Sequence, residues 1–394
     1  MSTGDFPSKT ESEKGGRIPL APLPPLSSTE ASSGQNQQPL LDRLLWLLLI
    51  VFAFFSASFK ASNSDLFMHL ASGRAFLSGD YSLGKDPFSF ASSKSWVNPS
   101  WLYDVGIYLI YSNFNPETAG KILVFGKAIL AVALAMLMVR AGAVTGKAPW
   151  IPTILAFLGI LACSPRFLLQ PVMVSMVFLA LLQVLYLMPG TGKKRLLSIP
   201  LLFLLWVNLD GWFLLGLLYL ALQSMGQLID GLISGSNQEK QNSNGPGKTI
   251  AITALSTLAC FLNPHHVGVF TQAPTGLLHF GAESVLKNDL TFRGYFLSPF
   301  DPIYFTAGVG LSAAGLSYFL LLGLGVLSFL LVGVHQRRLF STGSFLVWFA
   351  FAILSGWSVR GIPFFAIVAA PITSINFLLL SGVFGPSETE TDSL

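Results

Sequence analysis

Ten apolar runs divide this chain, and they constrain its fold more than any motif does. They fall at Leu44 to Phe59 and at 119–140, 149–164, 168–188, 196–208, 212–232, 249–262, 304–333, 342–358 and 361–381. A chain of 394 residues would ordinarily make two or three soluble domains. Charged residues, however, make up only 11% against 52% hydrophobic, where a soluble domain carries about 25% charged residues. Too little polar surface is left to face water. That excludes a soluble globular protein, a disordered regulator and a disulfide scaffold. The net charge is +4, yet no basic cluster exceeds Lys193-Lys194-Arg195, so nucleic acid is not an expected partner. The predicted fold class is an all-α membrane protein with about ten transmembrane helices.

The first run starts too late for a signal peptide and reads as an uncleaved first transmembrane helix. Residues 1–40, rich in Ser, Pro, Gly and Gln, read as a disordered cytoplasmic tail, and 382–394 as a disordered acidic one. Between them, 41–381 form the polytopic domain. A span needs roughly 20 residues, and several runs are shorter, so charge must arbitrate. With ten spans and a cytoplasmic N-terminus, the short inner loops carry Arg140, Lys147, Lys193, Lys194, Arg195, Lys240, Lys248, Arg337 and Arg338. The short outer loops carry Arg166 and Arg360. The positive-inside rule therefore predicts a multi-pass protein of the cell (inner) membrane with both termini cytoplasmic.

That topology makes 61–118 and 263–303 long outer loops. Trp101–Tyr111 is too short to span and is expected to lie along the interface, with Trp96, Trp101, Tyr103, Tyr108 and Tyr111 as headgroup-level anchors. The runs 196–208 and 249–262 cannot reach across a bilayer at about 1.5 Å per residue. The outer face is therefore expected to be hollowed, with Asp210 and Gly211 at the floor of a cavity.

Few polar residues interrupt the apolar pattern, and each needs a reason. Asp65 follows the first run; a helix starting there puts Asp65 and His69 one turn apart on one face. Asp65 serves either as a helix cap or as a carboxylate that deprotonates an acceptor at the cavity mouth. Asp86, in Asp86-Pro87-Phe88-Ser89-Phe90, reads as a turn or a further site residue. Arg166 and Arg360 sit outside against the charge bias. Each either snorkels to lipid phosphate or grips an anionic ligand, for which the guanidinium fork suits a phosphodiester. Asn208 and Asp210, in Asn208-Leu209-Asp210-Gly211, place polar groups inside an apolar stretch, where an ionisable residue is a functional candidate by default.

His265 opens the second long loop and suits hydrogen bonding or proton transfer. A metal site assembled from Asp65, His69, His265 or His266 is the alternative, which leaves a divalent cation open as a cofactor. Cys163 and Cys260 read as small core residues, or as a disulfide if both face outside. The chain has no Walker A loop, no nucleophile elbow and no His-Glu-x-x-His, so neither a nucleotide nor an intramembrane zinc protease chemistry is expected.

Several of these residues fall in blocks that resemble a family. Asp65-Leu66-Phe67-Met68-His69-Leu70-Ala71-Ser72-Gly73-Arg74, then Asp86 to Phe90, then Trp96-Val97 with Trp101-Leu102, are similar to the first outer loop of bacterial GT-C-type membrane glycosyltransferase-like proteins, whose fold is like that of protein O-mannosyltransferases. Pro165-Arg166 with Pro171, Leu205 to Leu209, Leu262-Asn263-Pro264, Ser298-Pro299, and Arg360 ahead of Pro363-Phe364-Phe365 follow in order. The likeness covers roughly 41–381. It departs at Asp210, where relatives often have His, and at Tyr295-Phe296, where many have Glu-Trp.

The resemblance implies a GT-C-like bundle whose first outer loop carries two juxtamembrane helices, near 65–78 and 100–112. It also implies sugar transfer, with inversion, from a polyprenyl-phosphate carrier to a lipid, glycan or protein acceptor at the outer face of the cell envelope. Asp65 is then the catalytic carboxylate. His69, Asp86, Arg166, Asn208, Asp210, His265 and Arg360 bind substrate, the two arginines at the donor phosphate. Two other readings compete. One is a transporter or lipid-carrier translocator using the same arginine-lined cavity. The other is a catalytically inactive partner in an envelope assembly complex.

Overall fold

The structure, a computed structural model, describes residues 31–60, 65–86, 88, 96–143, 150–187, 192–234, 246–272, 289, 296–306 and 308–382. The acidic tail, most of the second long loop, and Lys147 and Lys240 lie outside the described residues. The chain falls into two compact units, Met1–Leu41 and Asp42–Leu394, and the helical bundle and the candidate site belong to the second.

The described residues are all-helical, with a single isolated bridge between Gly84 and Trp96. In chain order the α-helices are α1 (Ala31–Ala57), α2 (Asp65–Ser78), α3 (Trp101–Asn113), α4 (Pro116–Gly142), α5 (Trp150–Cys163), α6 (Val172–Leu187), α7 (Gly192–Leu209), α8 (Phe213–Ser234) and α9 (Pro246–Ala259). Then come α10 (Gly268–Gln272), α11 (Pro302–Thr306), α12 (Ala313–His335), α13 (Thr342–Trp357) and α14 (Ile362–Leu380). α1 begins upstream of the expected tail boundary at 40.

Each apolar run of the sequence contains a helix, because an apolar segment satisfies its backbone polar groups most economically within itself. Five are long and apolar enough to cross a membrane: Leu40–Ala57, Pro116–Gly142, Phe213–Ile233, Ala313–His335 and Val359–Leu380. The others are shorter; α5, with 14 residues, rises only about 21 Å. The run 304–333 is broken into α11 and α12 by a turn in which Gly308 takes a φ of 76°. Several long apolar helices fit a multi-pass membrane protein.

α14 is the hub. It is buried on every side from Ile362 to Ser374, as expected of a helix apolar all round, and packs on α4, α5, α6, α12 and α13. Pro371 lacks the N–H that would bond the Ile367 carbonyl. Gln183 on α6 supplies the donor instead, with Nε2 to Ile367 O at 3.1 Å. α1, by contrast, exposes Leu44, Leu47, Leu48, Val51 and Phe55, an apolar face of the kind lipid covers. Cys163 and Cys260 are both buried and free, so the disulfide alternative is set aside and the core reading stands.

Candidate functional site

The first long loop folds into the helix pair α2 and α3, close to the ranges expected from sequence. Gly73 sets their spacing. A Cβ there would run into the Asp104 carbonyl and lie 2.8 Å from Tyr108 Cβ, so only glycine admits the close approach. The pair shares a small apolar core of Leu70 and Ile107 with Leu123 of α4 and Leu169.

Contact this close buries polar groups, which must pair. His69 Nδ1 lies 2.6 Å from Asp104 Oδ1; since an ionised carboxylate only accepts, Nδ1 carries the proton. Asn98 Nδ2 donates to Asp104 Oδ2 at 2.7 Å and to Ser72 Oγ at 3.0 Å. The short helix expected at Trp101–Tyr111 is present as α3, with one face against protein and Leu109 and Tyr111 exposed. Asp104 is 2% exposed, and the Tyr103 hydroxyl is buried. Trp101 Nε1 donates to Asn208 Oδ1 at 2.8 Å. Trp101 and Tyr103 are half-buried because α3 packs against α2, α4 and α7, while Tyr111 stays exposed.

The turn between α7 and α8 meets this pair. Asn208 Nδ2 donates to Leu204 O and Leu262 O, and Oδ1 also takes Asn263 Nδ2 at 3.3 Å. With its amide fully engaged, Asn208 is a clamp between helices rather than a group left open for substrate. Asp210 is 7% exposed and is not among the residues lining the cleft of Arg166 and Arg360. Its Oδ2 accepts from Ser175 Oγ at 2.5 Å and its Oδ1 from Gly211 N at 2.8 Å. Burial pushes its carboxyl up to about 7, against the opposing pull of those bonds and of nearby His69.

The two arginines come together as expected. Arg166 and Arg360 line one cleft of about 200 Å³ with Gln170, Val172, Met176, Trp212, Pro363 and Phe364. Arg166 ends the 3-10 turn Ser164–Arg166 after α5, and Arg360 lies in the turn Val359–Gly361 before α14. The Arg360 guanidinium stacks 4.4 Å from the Phe296 ring. A larger, mainly apolar cavity of about 350 Å³ shares Arg166 and Pro363 with the cleft and is walled by Leu168, Leu297, Tyr304 and Val359.

Asp65 reaches this cleft through a neighbour. Its Oδ2 accepts from Gln170 Nε2 at 2.5 Å, and Gln170 is itself part of the cleft wall. Asp65 is exposed and starts α2 as expected. It takes a different partner from His69, so the two do not act as a pair.

Asp86 closes a turn in which Phe88 N donates to its Oδ1 at 2.9 Å. His265 Nε2 accepts from Asn98 N at 3.3 Å and lies 3.4 Å from Tyr81 Oη. Burial, then His266, lowers its proton affinity, while Tyr81 is pushed up to about 12 by burial and by Asp104. His265 thus joins the second long loop to the first as a neutral acceptor. Among the described residues no three His, Cys, Asp or Glu side chains converge as a metal set; Asp65, His69 and His265 each turn to a separate partner.

Gln170, Asp104 and Ser175 escaped sequence reasoning. A glutamine beside a proline, a serine in an apolar helix and a lone aspartate in a short aromatic helix carry no local signal of their partners. No family model matches the chain, and no curated protein matches it.

Proposed function

We propose that this protein is a GT-C-type membrane glycosyltransferase of the inner membrane, with about ten spans and both termini cytoplasmic. It moves a sugar from a polyprenyl-phosphate donor to a lipid, glycan or protein acceptor at the outer face. The observation that carries this reading is the shared cleft of Arg166 and Arg360, joined through Gln170 to the Asp65 carboxylate. Two guanidinium forks suit a phosphodiester, and an exposed carboxylate beside them suits a general base.

In this mechanism an acceptor hydroxyl gives its proton to Asp65 as its oxygen attacks the anomeric carbon. The bond from that carbon to the phosphate oxygen breaks, and polyprenyl phosphate leaves with the electron pair, its added charge held by Arg166 and Arg360. Attack opposite the leaving group inverts the sugar. His69, Asn208 and His265 keep the α2–α3 pair in place around the cleft, and Asp86 shapes the loop above it.

The test is turnover in reconstituted membranes with extracted polyprenyl-phosphate sugars and envelope acceptors, read by mass spectrometry. Wild type should transfer sugar and Asp65→Asn should lose at least about 100-fold, the usual share of general acid–base catalysis. Equal rates would remove Asp65 from the chemistry. Co-purified lipid-linked sugar without transfer by either protein would favour a lipid-carrier translocator, which the apolar cavity beside the arginine cleft also suits.

A further inference from the structure

A second group of side chains, of which only His69 enters the proposal above and there only as a positioning residue, makes or breaks no bond in those steps. His69 from α2, Tyr103 and Asp104 from α3, and Asp210 from the α7–α8 turn are drawn together where these elements meet. His69, Asp104 and Asp210 are all less than a tenth exposed. The His69 and Tyr103 rings stand edge to face at 5.5 Å.

The hydrogen bonds around the two carboxyls differ. Asp104 is fully served, by His69 on one oxygen and Asn98 on the other. Among the described residues, Asp210 receives the neutral donors Ser175 and Gly211 alone. Trp206 Nε1 donates to Ser175 Oγ at 2.7 Å, which occupies the serine's lone pair and turns its hydrogen towards Asp210. The Tyr103 hydroxyl is buried with no hydrogen-bond partner among the described residues. A buried hydroxyl without a partner costs free energy unless another state of the site gives it one.

We propose that His69, Tyr103, Asp104 and Asp210 form a buried proton-binding site that takes up and releases one proton at Asp210. In the loaded state the Asp210 carboxyl is neutral and His69 pairs with Asp104. On unloading, the Asp210 O–H bond breaks, the proton passes to bulk water, and the carboxylate left behind faces His69 and the Tyr103 hydroxyl. Tyr103 remains protonated because burial and both carboxylates oppose its ionisation, so it can donate to the new charge. The titratable groups that face Asp210 are His69 on α2 and Tyr103 on α3, with Asp104 bonded to His69. α6 presents the Ser175 hydroxyl and α7 the Trp206 indole, which do not titrate in this range. The site joins the α2–α3 pair to the bundle, so its charge state bears on how firmly that pair is docked. It stands whether or not the chain transfers sugar.

Infrared spectroscopy of the full chain in lipid nanodiscs tests it directly. Wild type should show the carbonyl stretch of a buried protonated carboxyl in mildly acidic buffer, lost as pH rises through about 7. Asp210→Asn should lack that titrating band. Ser175→Ala keeps the carboxyl but removes a donor that favours its charged form, so its midpoint should shift to higher pH. A band absent from wild type, a midpoint in the ordinary carboxyl range, a band that survives in Asp210→Asn, or an unmoved midpoint in Ser175→Ala would each overturn the proposal. If Asp210→Asn fails to fold, the wild-type and Ser175→Ala titrations decide.

Discussion

A buried carboxyl leaves a thermodynamic signature. Asp210 holds its proton from an unfolded value near 3.8 up to about 7 in the fold. Between those values the native state binds more protons than the unfolded one, so stability falls as pH rises through this window. The contribution is fully present below about 4 and gone above about 7. Asp210→Asn is neutral at every pH and keeps one acceptor oxygen, enough for either Ser175 or Gly211. Thermal unfolding in detergent should therefore show wild type losing stability, on the order of a few kcal/mol, as pH rises across that window, while the variant stays flat. Parallel curves for the two proteins would mean that Asp210 is ionised in the fold throughout. Such an outcome would also place the residue in a wetter setting than its burial implies.

Helices meet where glycines and lone carbonyls allow it. Gly73 of α2 lies against α3, whereas Gly106 of α3 is exposed, so the same substitution should act with opposite sign at the two. Alanine at 73 drives a methyl into the Asp104 backbone and should cost about 1–3 kcal/mol or more as overpacking, with loss of the His69–Asp104 contact. Alanine at 106 meets nothing within 4 Å and should stabilise α3 by about 0.5–1 kcal/mol. Melting temperatures of the two variants check both signs. A further test concerns α14. Gln183→Leu leaves the Ile367 carbonyl without the donor that Pro371 denies it, and should lower stability by about 1–3 kcal/mol. The extra carbonyl stretch of an unpaired Ile367 would identify the cause.

At the scale of the molecule, the proposed orientation puts the end of α3 and the α12–α13 turn on opposite sides of the membrane. Both native cysteines are buried, so single new cysteines can be read without background. Ser112→Cys and Gln336→Cys replace exposed residues. An impermeant maleimide should label the first in intact spheroplasts and the second only after permeabilisation. Labelling of both from one side would overturn the ten-span arrangement.

Much of this architecture is readable from the chain alone. Helix formation is local: backbone groups bond four residues away, and an apolar run has few other ways to satisfy them. That is why α2 and α3 fall close to their expected ranges, and why Asp65 opens α2. Arg166 and Arg360 stand out in the sequence as cations placed against the charge bias, and the fold sets both on one cleft. The partners were not readable. His69 chose Asp104, 35 residues away, and Asp65 chose Gln170, 105 away. Such pairs depend on how helices stack, and on one glycine that lets two backbones approach. Tertiary structure likewise half-buried Trp101 and Tyr103 of α3, made Asn208 a clamp and buried Asp210 against Ser175. Periodicity says which side of a helix is apolar, but only packing decides which helix that side meets and which buried polar groups must then find one another.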